Sequence, residues 1–164
     1  MSVVFHGTRL SADVILTQGL KYPGTDELVS MIHQSLIEAG LSPDVWLQHQ
    51  EKLKREGRFT TLGELSRDYR RVIWVTEFED NAWSYASRSP EIVSEAIIKE
   101  YVSIHYRRKN VFNEANTIAD KSMQWIGEPK VVVIDADSIG AGRGNNQPIS
   151  PYIPPEFILD ILEE

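Results

Sequence analysis

Residues 130–135 read Lys-Val-Val-Val-Ile-Asp, which is the stretch with the clearest strand pattern in the chain. Four β-branched residues in a row favour a buried strand. Gly127 and Pro129 stand just before it and predict the end of a preceding helix. Three further runs predict strands, so four in all, at residues 2–5, 71–76 and 157–162.

Between these strands the apolar residues recur at helical spacing. Ser11 is placed to cap a first helix that stops at Gly19, and His6-Gly7-Thr8 is expected to break the strand before it. Strands near the ends and helices in the middle predict an α+β fold in a single domain, residues 1–164. The further helices are predicted at residues 25–39, 43–56, 61–69, 79–87, 90–108 and 113–125.

The composition indicates a globular chain with an excess of acidic residues. There are 24 Asp and Glu against 17 Lys and Arg, which gives a net charge of −7 at pH 7. A surface devoted to nucleic acid needs a basic face, so this balance disfavours that class of protein. Cysteine is absent, which excludes thiol catalysis, disulfide frameworks and cysteine-based zinc sites.

No run approaches the ~18 apolar residues of a membrane span. The first residues, Met-Ser-Val-Val-Phe-His, lack the basic leader and apolar core of a secretory signal. We therefore expect a cytoplasmic protein with no membrane partner, and leave open export by a route that uses no cleaved signal.

Several familiar ligand-binding motifs are incomplete in this chain. Residues 140–144, Gly-Ala-Gly-Arg-Gly, follow a strand, but Asn145 stands where the third glycine of a dinucleotide loop belongs and no helix follows. Asp135 and Asp137 lack the later carboxylate of a calcium loop. We therefore predict no metal site, and none of the scattered histidines has metal-ligand spacing: His33, His49 and His105.

Three stretches remain that could carry chemistry. Phe5-His6-Gly7-Thr8 puts a histidine at a strand end, beside a glycine that allows a ligand close to the backbone. Residues 73–86 bring Trp74 and Tyr85 to a strand and the helix after it, where rings could sandwich a flat heterocycle. Residues 154–160, Pro-Pro-Glu-Phe-Ile-Leu-Asp, set Glu156 at a loop–strand junction, a common place for a catalytic carboxylate.

Taken in order, these three stretches resemble the motifs of the ADP-ribosyltransferase superfamily, in its diphtheria-toxin and poly(ADP-ribose) polymerase branch. The resemblance spans nearly the whole chain. It implies two packed, mainly antiparallel sheets that form an NAD cleft, with peripheral helices and a helical insertion at about residues 25–70. It also implies an NAD-dependent mono-ADP-ribosyltransferase that transfers ADP-ribose to a protein or nucleic-acid acceptor, as a toxin or effector with an antitoxin or target protein as partner.

The resemblance assigns roles to individual residues. His6 would bond the adenosine ribose of NAD, with Thr8 adding a polar contact, and the backbone of Gly7 would hold the nicotinamide carboxamide. Tyr85 would stack on the nicotinamide ring. Glu156 would hold the ribose 2′-hydroxyl and align or deprotonate the acceptor, and the loop before it, residues 138–155, would help to choose that acceptor.

Two positions depart from the family pattern. Trp74 stands where the family has a tyrosine, and Ala82 stands where a small hydroxyl residue bonds the carboxamide. Two alternatives therefore stay open. One is an RNA 2′-phosphotransferase, which shares the His-Gly-Thr stretch. That family needs several basic residues around a 2′-phosphate, and Arg9 is the one that can be assigned here. The other is a degenerate module that binds NAD or a protein without catalysis.

Overall fold

The computed structural model of the chain describes residues 2–65, 72–87, 91–149 and 151–164. The described residues form helices and short antiparallel strands, so the chain is of the α+β class, as predicted. The helices are α1 (Ala12–Gln18), α2 (Thr25–Glu38), α3 (Pro43–Arg55), α4 (Thr61–Leu65), α5 (Glu79–Ala86), α6 (Glu91–His105) and α7 (Val111–Ser122). The strands are β1 (Val3–Leu10), β2 (Leu20–Lys21), β3 (Ile73–Val75), β4 (Ile126–Asp135), β5 (Gln147–Ile149), β6 (Tyr152–Ile153) and β7 (Ile158–Glu163), with a 3-10 turn at Pro155–Phe157.

The chain divides into two compact units. The first consists of residues 1–22, 68–89 and 125–164, and it contains all the strands named above together with α1 and α5. The second consists of residues 23–67 and 90–124 and contains the other five helices. The helical unit therefore contains residues 90–124 in addition to residues 23–67, which cover most of the insertion predicted at about residues 25–70.

The main sheet of the first unit is antiparallel, with β4 in the centre and β1 and β7 on either side. The strand predicted at residues 130–135 is thus its middle strand. Val131, Val132 and Ile134 are fully buried, as expected for a β-branched run that pairs on both edges.

The predicted end of the first strand at Phe5 is wrong. β1 continues through His6, Gly7 and Thr8 to Leu10, because each of these three residues lies opposite a residue of β4. Tertiary pairing here overrides the weak strand propensity of the His-Gly-Thr stretch.

The prediction that Gly127 and Pro129 end a helix is also wrong, because both lie inside β4. The pairing with β1 is irregular at this point: Thr8 lies opposite Lys130, but Leu10 lies opposite Ile126. Pro129 has no N–H to donate, so it fits where the ladder is interrupted. The helix before it, α7, ends at Ser122.

Two short sheets complete the first unit, and three of their four strands, β2, β5 and β6, were not predicted from the sequence. β2 pairs with β6, and β3 pairs with β5. β5 and β6 lie within the Gly- and Asn-rich segment expected to be only a loop. Strands of two or three residues are too short to show a period of two, so the pattern gave no signal.

The core of the first unit lies between β1, β3, β4 and α1. Ser11 caps α1 by accepting a hydrogen bond from the N–H of Val14, and the helix ends at Gly19, as predicted. Ile15 is the fully buried residue of α1 and packs in a cluster with apolar residues of the strands: Val4, Ile73, Val75, Val132, Ile134 and Ile153.

The second unit buries a carboxylate among its helices. Glu100 of α6 is 3% exposed; one oxygen accepts from the indole N–H of Trp46 at 2.9 Å, and the other accepts from the backbone N–H of Thr61. Burial raises the pKa of Glu100, whereas both hydrogen bonds lower it. The helix predicted at residues 61–69 begins as expected, and the part beyond Leu65 lies outside the described residues.

Among the described helices, none has the length and apolar content needed to cross a membrane.

Candidate functional site

The His-Gly-Thr stretch lies in β1 at the point where β1 and β3 separate. Phe5 and Thr76 exchange two backbone hydrogen bonds, with N···O distances of 2.7 and 2.9 Å. In a regular antiparallel ladder the next such pair would be Gly7 with Trp74, two residues along each strand. That pair does not form among the described residues, because the two strands are joined there by a side chain instead.

The side chain that joins them is His6. Its Nδ1 lies 2.7 Å from the carbonyl oxygen of Trp74, and its Nε2 lies 2.5 Å from the hydroxyl oxygen of Tyr22. The ring is 8% exposed, and burial lowers the pKa of His6 to about 4, although the bond to the Trp74 carbonyl raises it. His6 is therefore neutral at pH 7.

The protonation of this group follows from its partners. A carbonyl oxygen only accepts, so Nδ1 carries the proton and Nε2 must accept. The Tyr22 hydroxyl is the donor to Nε2, and burial raises its pKa, so it keeps that proton. The hydroxyl oxygens of Tyr22 and Thr8 lie 2.7 Å apart and share a hydrogen bond, and the Thr8 oxygen accepts from the N–H of Leu10 at 3.1 Å.

Gly7 gains an unpaired backbone edge from this arrangement. The N–H and C=O of Phe5 point away from β4, towards Thr76, and those of Gly7 point the same way because the strand alternates every two residues. The Trp74 carbonyl, which a regular ladder would set against the Gly7 N–H, bonds the His6 ring. Gly7 is itself buried, and within the described part of the chain its N–H and C=O have no backbone partner on that edge.

Helix α5 packs directly against β1 at Gly7. A Cβ on Gly7 would lie 1.8 Å from the carbonyl oxygen of Ala82 and 2.7 Å from the backbone nitrogen of Ala86. Ala82 and Ala86 are fully buried, so strand and helix meet through their smallest residues. The predicted cofactor residue Ala82 therefore lies in a strand–helix contact, where a larger hydroxyl side chain would have little room.

Two predicted stacking rings lie near this contact and are exposed. Trp74 is 40% exposed, whereas its neighbours Ile73 and Val75 are buried, so its side chain projects from the opposite face of β3. That face corresponds to the Gly7 face of β1, because Phe5 and Thr76 are directly paired. Tyr85 flanks the Ala82–Ala86 stripe on α5 and is 42% exposed.

Glu156 lies in the 3-10 turn before β7, and its side chain is exposed. The chain just before this turn packs against Gly19, where a Cβ would lie 2.2 Å from the carbonyl oxygen of Ile153. The sheet register sets the start of β7 level with Val4, with β4 between them. No hydrogen bond or ion pair within the described residues links Glu156 to His6, Tyr85 or Trp74.

The loop before Glu156 is held by its own polar side chains. The Asn145 side-chain oxygen accepts from the Thr76 hydroxyl at 2.9 Å and from the Asn81 amide at 3.0 Å. Gln147 bonds both the N–H and the C=O of Gly142 at 2.7 Å. Arg143, Asn145 and Asn146 of this loop are exposed and Gln147 is half-buried, so Asn145 both shapes the loop and faces solvent.

The structure thus brings His6, Gly7, Thr8, Trp74 and Ala82 together. Tyr85 follows on the same helix as Ala82, and Glu156 lies in the 3-10 turn of the same unit. Sequence reasoning missed Tyr22, because its contact with His6 spans 16 residues and no local pattern marks it. Across the described residues, no group of three or more His, Asp or Glu side chains is placed to hold a metal ion.

Comparison with known proteins yields no family model, no curated protein and no solved structure that matches this chain.

Proposed function

We propose that the chain is an NAD-dependent mono-ADP-ribosyltransferase. The proposal includes the finer fold, in which the packed antiparallel sheets of the first unit form an NAD cleft. The acceptor is a protein or a nucleic acid, and a toxin or effector role, with an antitoxin or target protein as partner, belongs to the same proposal.

The unpaired edge of Gly7 is the observation that supports it most. A primary carboxamide such as that of nicotinamide presents one C=O and an NH₂ group, which complement the N–H and C=O of Gly7. The exposed Trp74 ring lies on the matching face of the neighbouring strand, where it supplies a flat apolar surface for a heterocycle. This pairing of backbone and ring suits a planar amide.

Glu156 has the role of stabilising charge in this proposal. Cleavage of the nicotinamide–ribose bond passes through an oxocarbenium-like state, as glycoside cleavage does. A carboxylate near the ribose stabilises the positive charge that develops. Glu156 is exposed and leads into β7, so its carboxylate is accessible to a ligand.

The test is release of nicotinamide from NAD by the purified protein and by Glu156→Gln. We expect the substitution to lower the rate by about 100-fold or more, because it removes the stabilising charge, while the Kd for NAD changes little. Glu163→Gln changes an exposed glutamate at the far end of β7, the strand that follows the Glu156 turn; it is the matched control and should retain full activity.

An undiminished rate in Glu156→Gln contradicts the catalytic role. The second candidate, an NAD-binding module without catalysis, is favoured because no hydrogen bond or ion pair among the described residues joins Glu156 to the His6 group. That candidate requires NAD to bind, as measured by titration, with no nicotinamide released even when protein and nucleic-acid acceptors are supplied.

A further inference from the structure

The turn between α6 and α7 concentrates positive charge in a chain that is acidic as a whole. Residues 106–112 read Tyr-Arg-Arg-Lys-Asn-Val-Phe, and Arg107 to Lys109 form the longest run of basic residues in the sequence. No Asp or Glu occurs from residue 101 to residue 113. We call residues 106–112 the basic turn. The acidic balance that disfavours a nucleic-acid surface for the whole chain therefore does not describe this part of the second unit.

Two exposed aromatic rings stand at the two ends of the basic turn. Tyr106 is 63% exposed and Phe112 is 61% exposed, and these are the most exposed aromatic side chains among the described residues. A single exposed ring is ordinary for a protein surface. Two rings that bracket a run of cations combine the stacking surface and the positive charge by which proteins bind single-stranded nucleic acid.

Arg108 is tied into the fold at this turn. Its backbone N–H donates to the carbonyl oxygen of His105 at 2.9 Å. Its guanidinium group lies 3.2 Å from the carboxylate of Glu114 and donates to the hydroxyl of Tyr101 at 3.4 Å. The Glu114 carboxylate therefore neutralises the middle cation of the run, and the contacts of Arg108 hold the turn in place.

The other two cations, Arg107 and Lys109, are exposed and have no carboxylate partner within 4.0 Å among the described residues. The Nε of Arg107 donates to the hydroxyl of Tyr106 at 2.7 Å, and its guanidinium carbon lies 5.2 Å from the centroid of that ring. A cation and an aromatic ring are thus held side by side. Two positive charges of the basic turn are available to an anionic partner.

We propose that the basic turn binds single-stranded nucleic acid, with Arg107 and Lys109 on the phosphates and Tyr106 and Phe112 stacked on the bases. An acidic peptide would satisfy the cations but would leave both rings in water. The bases of a duplex are stacked on one another, so they are closed to the two rings, whereas those of a single strand are open. The inference goes beyond the proposed function and does not depend on it, because no step of NAD chemistry enters.

Fluorescence anisotropy of a labelled oligothymidylate of about 15 nucleotides, titrated with the full chain, tests the proposal. We expect binding that weakens as salt is raised, because phosphate contacts release counterions. The duplex of the same strand with oligoadenylate should bind at least about fivefold more weakly, since its bases are not open to stacking. Arg107→Ala and Lys109→Ala should each reduce the slope of log K against log salt by about 0.7, the value for one phosphate of a single strand.

The rings are tested in the same assay. Tyr106→Ala and Phe112→Ala should each raise the Kd about fivefold or more, which is the scale of one stacked base, whereas Tyr106→Phe keeps the ring and should keep most of the affinity.

Lys54→Ala and Phe59→Ala are the matched controls in the same unit. Lys54 is an exposed lysine without an ion pair among the described residues, and Phe59 is 49% exposed. The start of α3, with Val45 and Trp46, lies beside the C-terminal end of α6, so Lys54 lies towards the end of α3 that is remote from the basic turn. Both control variants should bind the strand as wild type does.

Three results would overturn the inference. One is the absence of salt-dependent binding by wild type, and another is an equal loss of affinity in the two control variants. The third is full affinity in both Tyr106→Ala and Phe112→Ala together with displacement of the strand by polyglutamate, which would show a surface for acidic chains. Strand binding with the expected pattern of variants but no release of nicotinamide would support this inference and count against the proposed function. Nicotinamide release without strand binding would do the reverse.

Discussion

Gly7 packs so closely against α5 that there is no room for a side chain at this position. Gly7→Ala would place a methyl group 1.8 Å from the carbonyl oxygen of Ala82, which is backbone and part of a helix. Because α5 must move to admit it, we expect the free energy of unfolding to fall by about 3 kcal/mol, measured by urea denaturation.

The control for this substitution is Gly127→Ala in β4 of the same sheet. A Cβ there meets its nearest atom, the Arg9 carbonyl oxygen, at 3.5 Å, an ordinary contact. It should change stability by less than about 1 kcal/mol. Equal stability of the two alanine variants would contradict the close packing of β1 on α5.

His6 makes the stability of the fold depend on pH in a defined direction. Its pKa is about 4 when folded and 6.5 in the unfolded reference, so between these values the unfolded chain binds more protons. Stability from this group is therefore full above about pH 6.5 and declines as the pH falls towards 4. The expected loss from pH 7 to pH 5 is about 2 kcal/mol.

The measurement compares urea denaturation at pH 7 and pH 5 for wild type and for His6→Asn, whose amide can still donate to the Trp74 carbonyl. The pH effect of the other titrating groups is common to both proteins and cancels in the difference. A pH-dependent loss of the same size in His6→Asn would show that His6 is not the group responsible.

At the scale of elements, Asn145 joins the loop before β5 to the start of α5. Asn145→Ala removes the acceptor for both Thr76 and Asn81, so we expect a loss of about 1–2 kcal/mol and faster amide exchange at residues 142–147. Asn145→Asp keeps the acceptor oxygen and should behave more like wild type. Unchanged exchange in Asn145→Ala would mean that the Gln147 contacts alone hold the loop.

The helices could be predicted from sequence because their signals are local. Ser11 and Gly19 bound α1 as expected, and the proline start of α3 was also confirmed. The course of β1 through His6, Gly7 and Thr8 could not be predicted, since it depends on a partner strand far along the chain. The same holds for β5 and β6, which are defined by pairing and not by periodicity.

The sequence pattern proposes the residues of the candidate site, but it does not determine how they are arranged. The residue pattern pointed to His6 and Gly7, yet only the structure relates them: His6 takes the Trp74 carbonyl, and Gly7 is left with an unpaired edge. Both His6 nitrogens are bonded within the protein, so a ribose hydroxyl would have to replace Tyr22 at Nε2. The role predicted for His6 stays a prediction.

At the scale of the whole molecule, the chain leaves the first unit and returns to it twice, and every predicted site residue belongs to that unit. The second unit supplies none of them. Its own packing rests on helices and on a buried carboxylate that bonds Trp46 and Thr61. The acidic net charge and the helical segments therefore say little about the candidate site, which depends on three separate pieces of chain.

The interval between β1 and its partner β4 has a consequence for synthesis. About 115 residues separate the two strands, and a ribosome adds roughly 5–20 residues each second. The strand that carries His6 and Gly7 is therefore synthesised roughly 6–23 s before any residue of β4 exists to pair with it. Until then the edge of β1 that faces β4 has no strand to pair with, and the main sheet is complete only once β7 has been translated.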